Sequence, residues 1–195
     1  MKMRTVSRII LDNEMKKIIK RKIKRKGVVL DVGSKDSPYK KLIPHKEYSR
    51  MDISDKHNPD IVGDILDKKT IQKYKSYFDT IVFTEVLEHI QEPQMAVNNI
   101  NYILKEGGHC ILSTRFIQPI HPDPKDYFRF TEDSLRYLFR DYRDVEVYPL
   151  GNVTHSIWQL INFRGKNLLS PLMAKITSIG KVNVPPDILY LLKNN

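Results

Sequence analysis

Short apolar runs alternate with amphipathic stretches along this chain, and the two periods divide it into strands and helices. Residues 6–25 space Val6, Ile9, Ile10, Met15, Ile18, Ile19 and Ile23 mostly three or four apart, which predicts a helix with one narrow apolar stripe. GVVLDV at 27–32 is a continuous apolar run and suits a central parallel strand buried on both faces. A short helix is expected over 38–43, with Pro38 tolerated in its first turn, then strands over 47–53 and 60–62. Residues 68–77 read as helix, FDTIVFT at 78–84 as a second strongly apolar strand, and 93–104 as a helix broken by Gly107 and Gly108. A strand over 109–114, a helix over 131–139 with Thr131 as its N-cap residue, and a strand over 145–149 follow. From Gly151 onward the pattern weakens: 157–163 and 168–179 have helical character, Pro185 and Pro186 stop them, and no clear final strand stands out.

Strands alternating with helices imply parallel βαβ units and an α/β fold with a mainly parallel, doubly wound sheet. Ligands of such sheets bind outside the carboxyl ends of the strands, at the topological switch point. A chain of 195 residues can bury a core of this kind without staples. No apolar run approaches the ~20 residues that span a bilayer, and residues 9–11, followed by lysines, make too short a core for a secretory signal. The single cysteine, Cys110, falls in an expected strand; it rules out an internal disulfide and a multi-cysteine zinc site and reads as a buried, inert thiol. The expected location is cytoplasmic.

The net charge of +10 is unevenly placed. Residues 1–26 hold Lys2, Arg4, Arg8, Lys16, Lys17, Lys20, Arg21, Lys22, Lys24, Arg25 and Lys26 against only Asp12 and Glu14, and the remainder is nearly neutral. Three divisions follow: a basic N-terminal helical arm (1–26), a core domain (27–150), and a helical extension or sheet-closing segment (151–195). The arm has three readings. It is a solvated helix covering a sheet edge, a segment drawn to the anionic inner face of a membrane at ~1 kcal/mol per basic residue, or a phosphate-contacting nucleic-acid tether. The last is the weaker, because charge is not spread over the domain.

The candidate chemistry lies in acids at strand ends. Asp31 ends the first strand, Asp52 the second, Asp64 lies just past the third and Glu85 just past the fourth. An acid about 20 residues beyond the first turn can bridge vicinal ribose hydroxyls, and Gly33 lets the backbone turn tightly beside a ligand. Any one of these acids could be a helix N-cap; four at successive strand ends favour a nucleoside. A dinucleotide is disfavoured, because Lys35 and Pro38 stand where G-x-G-x-x-G needs glycine. Glu85, Glu88 and His89 do not form H-E-x-x-H and offer only two ligands on one face, so no metal is assigned.

LDVGSKDSPY at 30–39, YSRMDI at 48–53, DIVGDIL at 60–66, FDTIVFTEVLEHIQEP at 78–93 and LKEGGHCILST at 104–114 together resemble the class I S-adenosylmethionine-dependent methyltransferases. HPDPKDYFRFTEDSLRYLF at 121–139 is similar to a bacterial subgroup associated with glycan and cell-surface polysaccharide synthesis. The resemblance implies a Rossmann-like three-layer αβα sandwich and S-adenosylmethionine as cofactor. It implies a loop of Asp31, Gly33 and Ser34 around the methionine half, Asp52 on the ribose and Ile53 against the adenine. Asp64 would accept from the adenine amino group with Ile65 alongside, and Thr84 and Glu85 would line the floor near the sulfonium. The family loop usually carries further glycines where Lys35 and Ser37 stand here.

For a hydroxyl acceptor, His121 is the candidate base, just after the fifth strand and able to titrate near neutrality. Asp126, Tyr127 and Arg129 share its loop and could orient a polyhydroxylated acceptor; Tyr127, Phe128 and Phe130 could equally be packing aromatics. The leading reading is O-methylation of a sugar, glycan or other small hydroxylated acceptor. Alternatives are a nucleic-acid methyltransferase tethered by the basic segment and a cofactor-binding but inactive partner protein. Against the former, Thr84, Glu85, Val86 and Leu87 stand where many base amino-methylating enzymes carry N/D-P-P-Y/F.

Overall fold

The computed structural model describes residues 5–33, 35–121, 124–161, 172, 185 and 187–194. The elements are α1 (Val6–Lys22), β1 (Gly27–Val32), β2 (His45–Asp52), β3 (Ile61–Val62), α2 (Lys68–Ile71), β4 (Phe78–Thr84) and α3 (Pro93–Ile103), then β5 (Leu104–Arg115), α4 (Glu132–Leu138), β6 (Asp144–Leu150), α5 (Val153–Ile161) and β7 (Asp187–Lys193). The seven strands form one sheet in the order β3-β2-β1-β4-β5-β7-β6. Pairs from β3 through β5 are parallel, and β7 runs antiparallel between β5 and β6. The chain is thus wound outward in both directions from β1, the Rossmann-like arrangement expected.

The two faces of the sheet carry separate apolar clusters. On one, Leu30, Ile81, Phe83, Cys110, Leu112 and Tyr190 pack beneath Ala96, Val97, Ile100 and Ile103 of α3 and Leu135 of α4. On the other, Val29, Val82, Ile111, Leu189 and Leu191 pack against Leu11, Met15, Ile18 and Ile19 of α1. Alternate residues of each strand feed opposite faces, as the period of a pleated strand requires. Burial raises the Cys110 thiol well above its usual range, which agrees with an inert structural cysteine.

α1 therefore packs against one face of the sheet. Its stripe runs through Val6, Leu11, Met15, Ile18 and Ile19, whereas Ile9 and Ile10 are only partly covered. Part of its charge is spent internally: Arg21 and Lys22 pair with Glu146 of β6, Arg8 with Asp12, and Lys17 with Glu14. Lys16, Lys20, Lys24, Arg25 and Lys26 remain exposed. No helix among the described residues is long and apolar enough to cross a membrane.

Three local expectations change. Residues 38–43 form consecutive turns, not a helix: Leu42 and Ile43 both donate to the Tyr39 carbonyl, at 2.8 and 3.2 Å. Pro38 and Pro44 leave too short a stretch between them to propagate a helix. The helix expected over 68–77 is one α turn followed by a 3-10 turn, Gln72–Tyr74. A final strand does exist: DILYLLK follows the prolines and is buried almost throughout because it has neighbours on both edges. Ser34 and the helix read over 168–179 lie outside the described residues.

Candidate active site

β1, β2, β3 and β4 are adjacent and parallel, so the residues that end each strand share one rim of the sheet. Asp31, near the end of β1, is 1% exposed and accepts from the Tyr48 hydroxyl at 2.5 Å. Burial and the Asp31 charge hold that phenol far above its usual range, so it stays a donor. Gly33 turns the chain away at φ +66°, its N–H donating to the Met51 carbonyl at 2.8 Å. A Cβ at Gly33 would stand 2.7 Å from Val86 Cγ2, so both conformation and space require glycine.

Lys35 and Ser37 also lie in the left-handed region, each at φ 46°. The loop thus bends as a glycine-rich loop would, without the glycines, at a cost of roughly 1 kcal/mol per residue. Its far end is held down by α1. Tyr39, buried, donates to Asp12 at 2.9 Å, and Arg8 lies 3.0 Å from the same carboxylate with its guanidinium 5.4 Å from the Tyr39 ring centre.

Asp52 ends β2 half-buried, and its carboxylate accepts from the Ser54 N–H at 3.1 Å. Ile53 beside it is 71% exposed, a large apolar side chain at the rim. Arg50 organises the turn behind them by donating to the carbonyls of His57, at 3.1 Å, and Asn58. Asp64 is exposed and accepts from the Leu66 N–H at 2.9 Å. Ile65 differs from its expected place. It is 3% exposed and fills the core, because the chain turns inward at Asp64 while Asn99 of α3 grips the Ile65 carbonyl at 2.7 Å.

Thr84 ends β4 partly exposed, and Glu85 follows at φ 59°. That bend carries the Glu85 carboxylate toward β5, where it accepts from the Ser113 hydroxyl at 2.7 Å and pairs with Arg115. Arg115 also donates to the buried Asp187 of β7 at 2.9 Å. Glu85 is thus tied into a buried ion network beside the rim, which β7 completes.

A second group gathers next to it. The 3-10 turn Leu87–His89 buries Glu88 completely, at 0% exposure. One Glu88 carboxyl oxygen accepts from the Thr114 hydroxyl at 2.9 Å, and the other, Oε1, is buried with no hydrogen-bond partner among the described residues. Burial first, and then the charge of Glu85, push this carboxyl well above the usual carboxylate range. The Glu88 carbonyl accepts from the N–H groups of Tyr127, at 2.9 Å, and Phe128, at 3.3 Å, which docks the loop after β5 onto it.

That docking brings His121 to His89, with the two Nε2 atoms 3.3 Å apart. His89 Nδ1 lies 2.9 Å from the Lys125 carbonyl, and His121 Nδ1 lies 3.1 Å from Asp126 Oδ2. Burial lowers the His89 pKa. Asp126 and Arg129, expected to orient an acceptor, bind each other instead through two contacts of 2.5 Å, and Arg129 also donates to the carbonyls of Gln118 and Phe128. These contacts, with the bond from the His121 N–H to Asp126 at 3.1 Å, brace the loop behind His121. Tyr127 is 41% exposed. The grouping of Glu88 and His89 with His121 escapes any local motif, because the partners lie on different loops.

Comparison with known proteins gives the following. The sequence profile of a family described as a methyltransferase domain matches residues 8–151. A search of curated proteins returns no match. Among solved structures, a SAM dependent methyltransferase from Archaeoglobus fulgidus is 14% identical with a TM-score of 0.60, covering 97% of this chain and 95% of that one. The N-methyltransferase NodS from Bradyrhizobium japonicum WM9, in complex with S-adenosyl-l-homocysteine, is 15% identical with a TM-score of 0.61, covering 97% and 88%. A 1,6-didemethyltoxoflavin-N1-methyltransferase from Burkholderia thailandensis, with its substrate and S-adenosylhomocysteine bound, is 14% identical with a TM-score of 0.59, covering 93% and 76%. At these identities the likeness is one of fold.

Proposed function

The chain belongs to the methyltransferase-domain family, and from that premise we propose that it is an S-adenosylmethionine-dependent methyltransferase acting on a hydroxyl group of a sugar, glycan or other small polyhydroxylated acceptor. The observation that carries the reading is the shared rim: a backbone bend at Gly33 crowded against Val86, two accessible carboxylates at neighbouring strand ends, and an uncovered Ile53 between them. These residues fit an adenosine. Asp52 would take the ribose hydroxyls, Ile53 one face of the adenine, and Asp64 its amino group. Gly33 and the bend around it would leave room for the methionine half.

When bound, S-adenosylmethionine supplies an electrophilic methyl group on sulfur. The chain's own task is then to align an acceptor oxygen and to receive its proton, and alignment alone accounts for much of such a rate. His121 Nε2 supports the second role: it is partly exposed, next to Glu88 and His89, and backed by Asp126. His121 would receive the hydroxyl proton as the acceptor oxygen took the methyl group, the carbon–sulfur pair remaining with sulfur. Tyr127 and Phe128, both with exposed ring surface near this loop, offer flat apolar faces of the kind sugars stack upon. Conversion of S-adenosylmethionine to S-adenosylhomocysteine, assayed with a panel of hydroxylated acceptors, tests the reading. His121→Ala lowers turnover and leaves cofactor binding intact; unchanged turnover removes His121 from the reaction.

A further inference from the structure

We propose that Glu88, His89 and His121 form a binding site for a divalent first-row transition ion. The three side chains each offer one ligand atom, and those atoms all lie within 4.8 Å of one another.

A backbone carbonyl only accepts, so His89 Nδ1, at 2.9 Å from the Lys125 carbonyl, carries its proton there and leaves a bare Nε2 lone pair. That lone pair faces His121 Nε2 across 3.3 Å. Two nitrogens bound at about 2.1 Å to one tetrahedral ion would stand roughly 3.4 Å apart, close to what is observed. The Lys125 carbonyl also orients the His89 ring through its other nitrogen, the usual outer-shell support for a metal-bound histidine.

Glu88 supplies the independent observation. Its Oε1 is buried without a hydrogen-bond partner among the described residues, and a native structure seldom leaves a buried carboxylate oxygen so. Glu85, Glu88 and Asp187 gather about the Arg115 guanidinium, and Arg129, which also faces Glu88, is paired with Asp126. Two imidazoles and one carboxylate suit zinc, cobalt, iron or manganese better than magnesium or calcium, which prefer all-oxygen sites. A three-ligand set leaves positions for an exogenous oxygen.

The chemistry of that open position rests on the function proposed above, although ion binding does not. An acceptor hydroxyl on the ion would become more acidic. Its proton would leave to bulk water, and the resulting alkoxide would take the methyl carbon while the carbon–sulfur pair left with sulfur. His121 would then be a ligand, and acidification of the bound hydroxyl would remove the need for a protein base.

The test uses the full chain stripped with a chelator and dialysed. Titration with cobalt(II), followed by visible absorption, gives saturable bands at one equivalent, which zinc(II) then abolishes. His89→Ala and His121→Ala each weaken cobalt binding at least tenfold, while far-ultraviolet circular dichroism stays that of the parent. Glu88→Gln does the same if it folds, and the two histidine variants decide the matter if it does not. Absence of stoichiometric cobalt binding, or binding unchanged in both histidine variants, overturns the site and leaves a shared proton as the link between the rings. S-adenosylmethionine affinity, measured on the same samples by calorimetry, separates the two proposals. Cofactor binding without cobalt binding refutes the ion alone, and cobalt binding without cofactor binding refutes the function alone.

Discussion

Replacing Asp52 by alanine separates ligand recognition from folding better than any other change at the rim. The carboxylate is half-buried at the end of β2, and the hydrogen bond it receives is from the Ser54 N–H at 3.1 Å. Losing that bond costs folding about 0.5–1.5 kcal/mol. For a domain of this size it appears as a fall in Tm of roughly 2–5 °C. Binding should suffer far more. A carboxylate holding two ribose hydroxyls makes two charge-assisted bonds, each contributing about 1.5–3 kcal/mol, so Asp52→Ala removes roughly 3–6 kcal/mol. At 1.4 kcal/mol per decade this weakens S-adenosylmethionine binding by about 10²–10⁴-fold. Asp52→Asn keeps one acceptor oxygen and should fall between. Calorimetry with S-adenosylmethionine and S-adenosylhomocysteine reads the affinity, and a thermal melt of the same samples reads the fold. Affinity within threefold of the parent would refute the ribose assignment. A loss of affinity matched by loss of the folded state would show that Asp52 serves the turn, not the ligand.

Three further outcomes are expected. Gly33→Ala forces a methyl group against Val86 Cγ2 and an L-residue to φ +66°; it should destabilise the fold by about 1–3 kcal/mol in urea denaturation, and adding Val86→Ala should recover only the steric part. Asp79, which accepts from the Val28 N–H and from Lys105, has a carboxyl held below its usual pKa, so its stabilising effect is full above about pH 4, the unfolded value, and fades as pH falls through it. The stability gap between the parent and Asp79→Asn should therefore narrow from pH 7 to pH 3, and a constant gap would refute the linkage. Finally, because the apolar stripe of α1 is already spent on the sheet, any attraction of its exposed lysines to a membrane must be electrostatic. Sedimentation with vesicles containing anionic phosphatidylserine should show binding at low ionic strength that disappears at ~0.5 M salt; binding that survives the salt would mean apolar insertion.

The parallel half of the sheet was legible because its strands are unbroken apolar runs with glycine or acid at their ends, a pattern set by burial on both faces. β7 was not. DILYLLK is as apolar as β4, but it follows two prolines in the sequence, which read as a stop, and it takes an inner position between β5 and β6. The basic N-terminus is a mixed case. Its charge density left three readings open, and what its stripe packs on appears only in the structure, where Leu11, Met15, Ile18 and Ile19 join one face of the core. Periodicity reports how a segment is buried; it does not report against what.

The acids at strand ends show where reading by position stops. Asp31, Asp52, Asp64 and Glu85 occupy equivalent places in sequence, yet their surroundings divide them. Asp31 is sealed beneath Tyr48, Glu85 is bent into the Arg115 network, and Asp52 and Asp64 stay accessible with one backbone N–H apiece in hand. A carboxylate already satisfied by its own protein has little left to offer a ligand, because any new bond only replaces an old one. Ligand recognition at this rim should therefore fall on Asp52 and Asp64, with Asp31 and Glu85 fixing the shape they present. Glu88 is the opposite case: it lies outside that series and meets His121 through the loop docked by the backbone bonds from Tyr127 and Phe128 and by the contact between His89 and the Lys125 carbonyl. If the proposed roles hold, substitutions that loosen the 116–130 loop should lower turnover through His89 and His121 while leaving S-adenosylmethionine affinity, assigned to residues after β2 and β3, unchanged; an equal loss of both would refute that division.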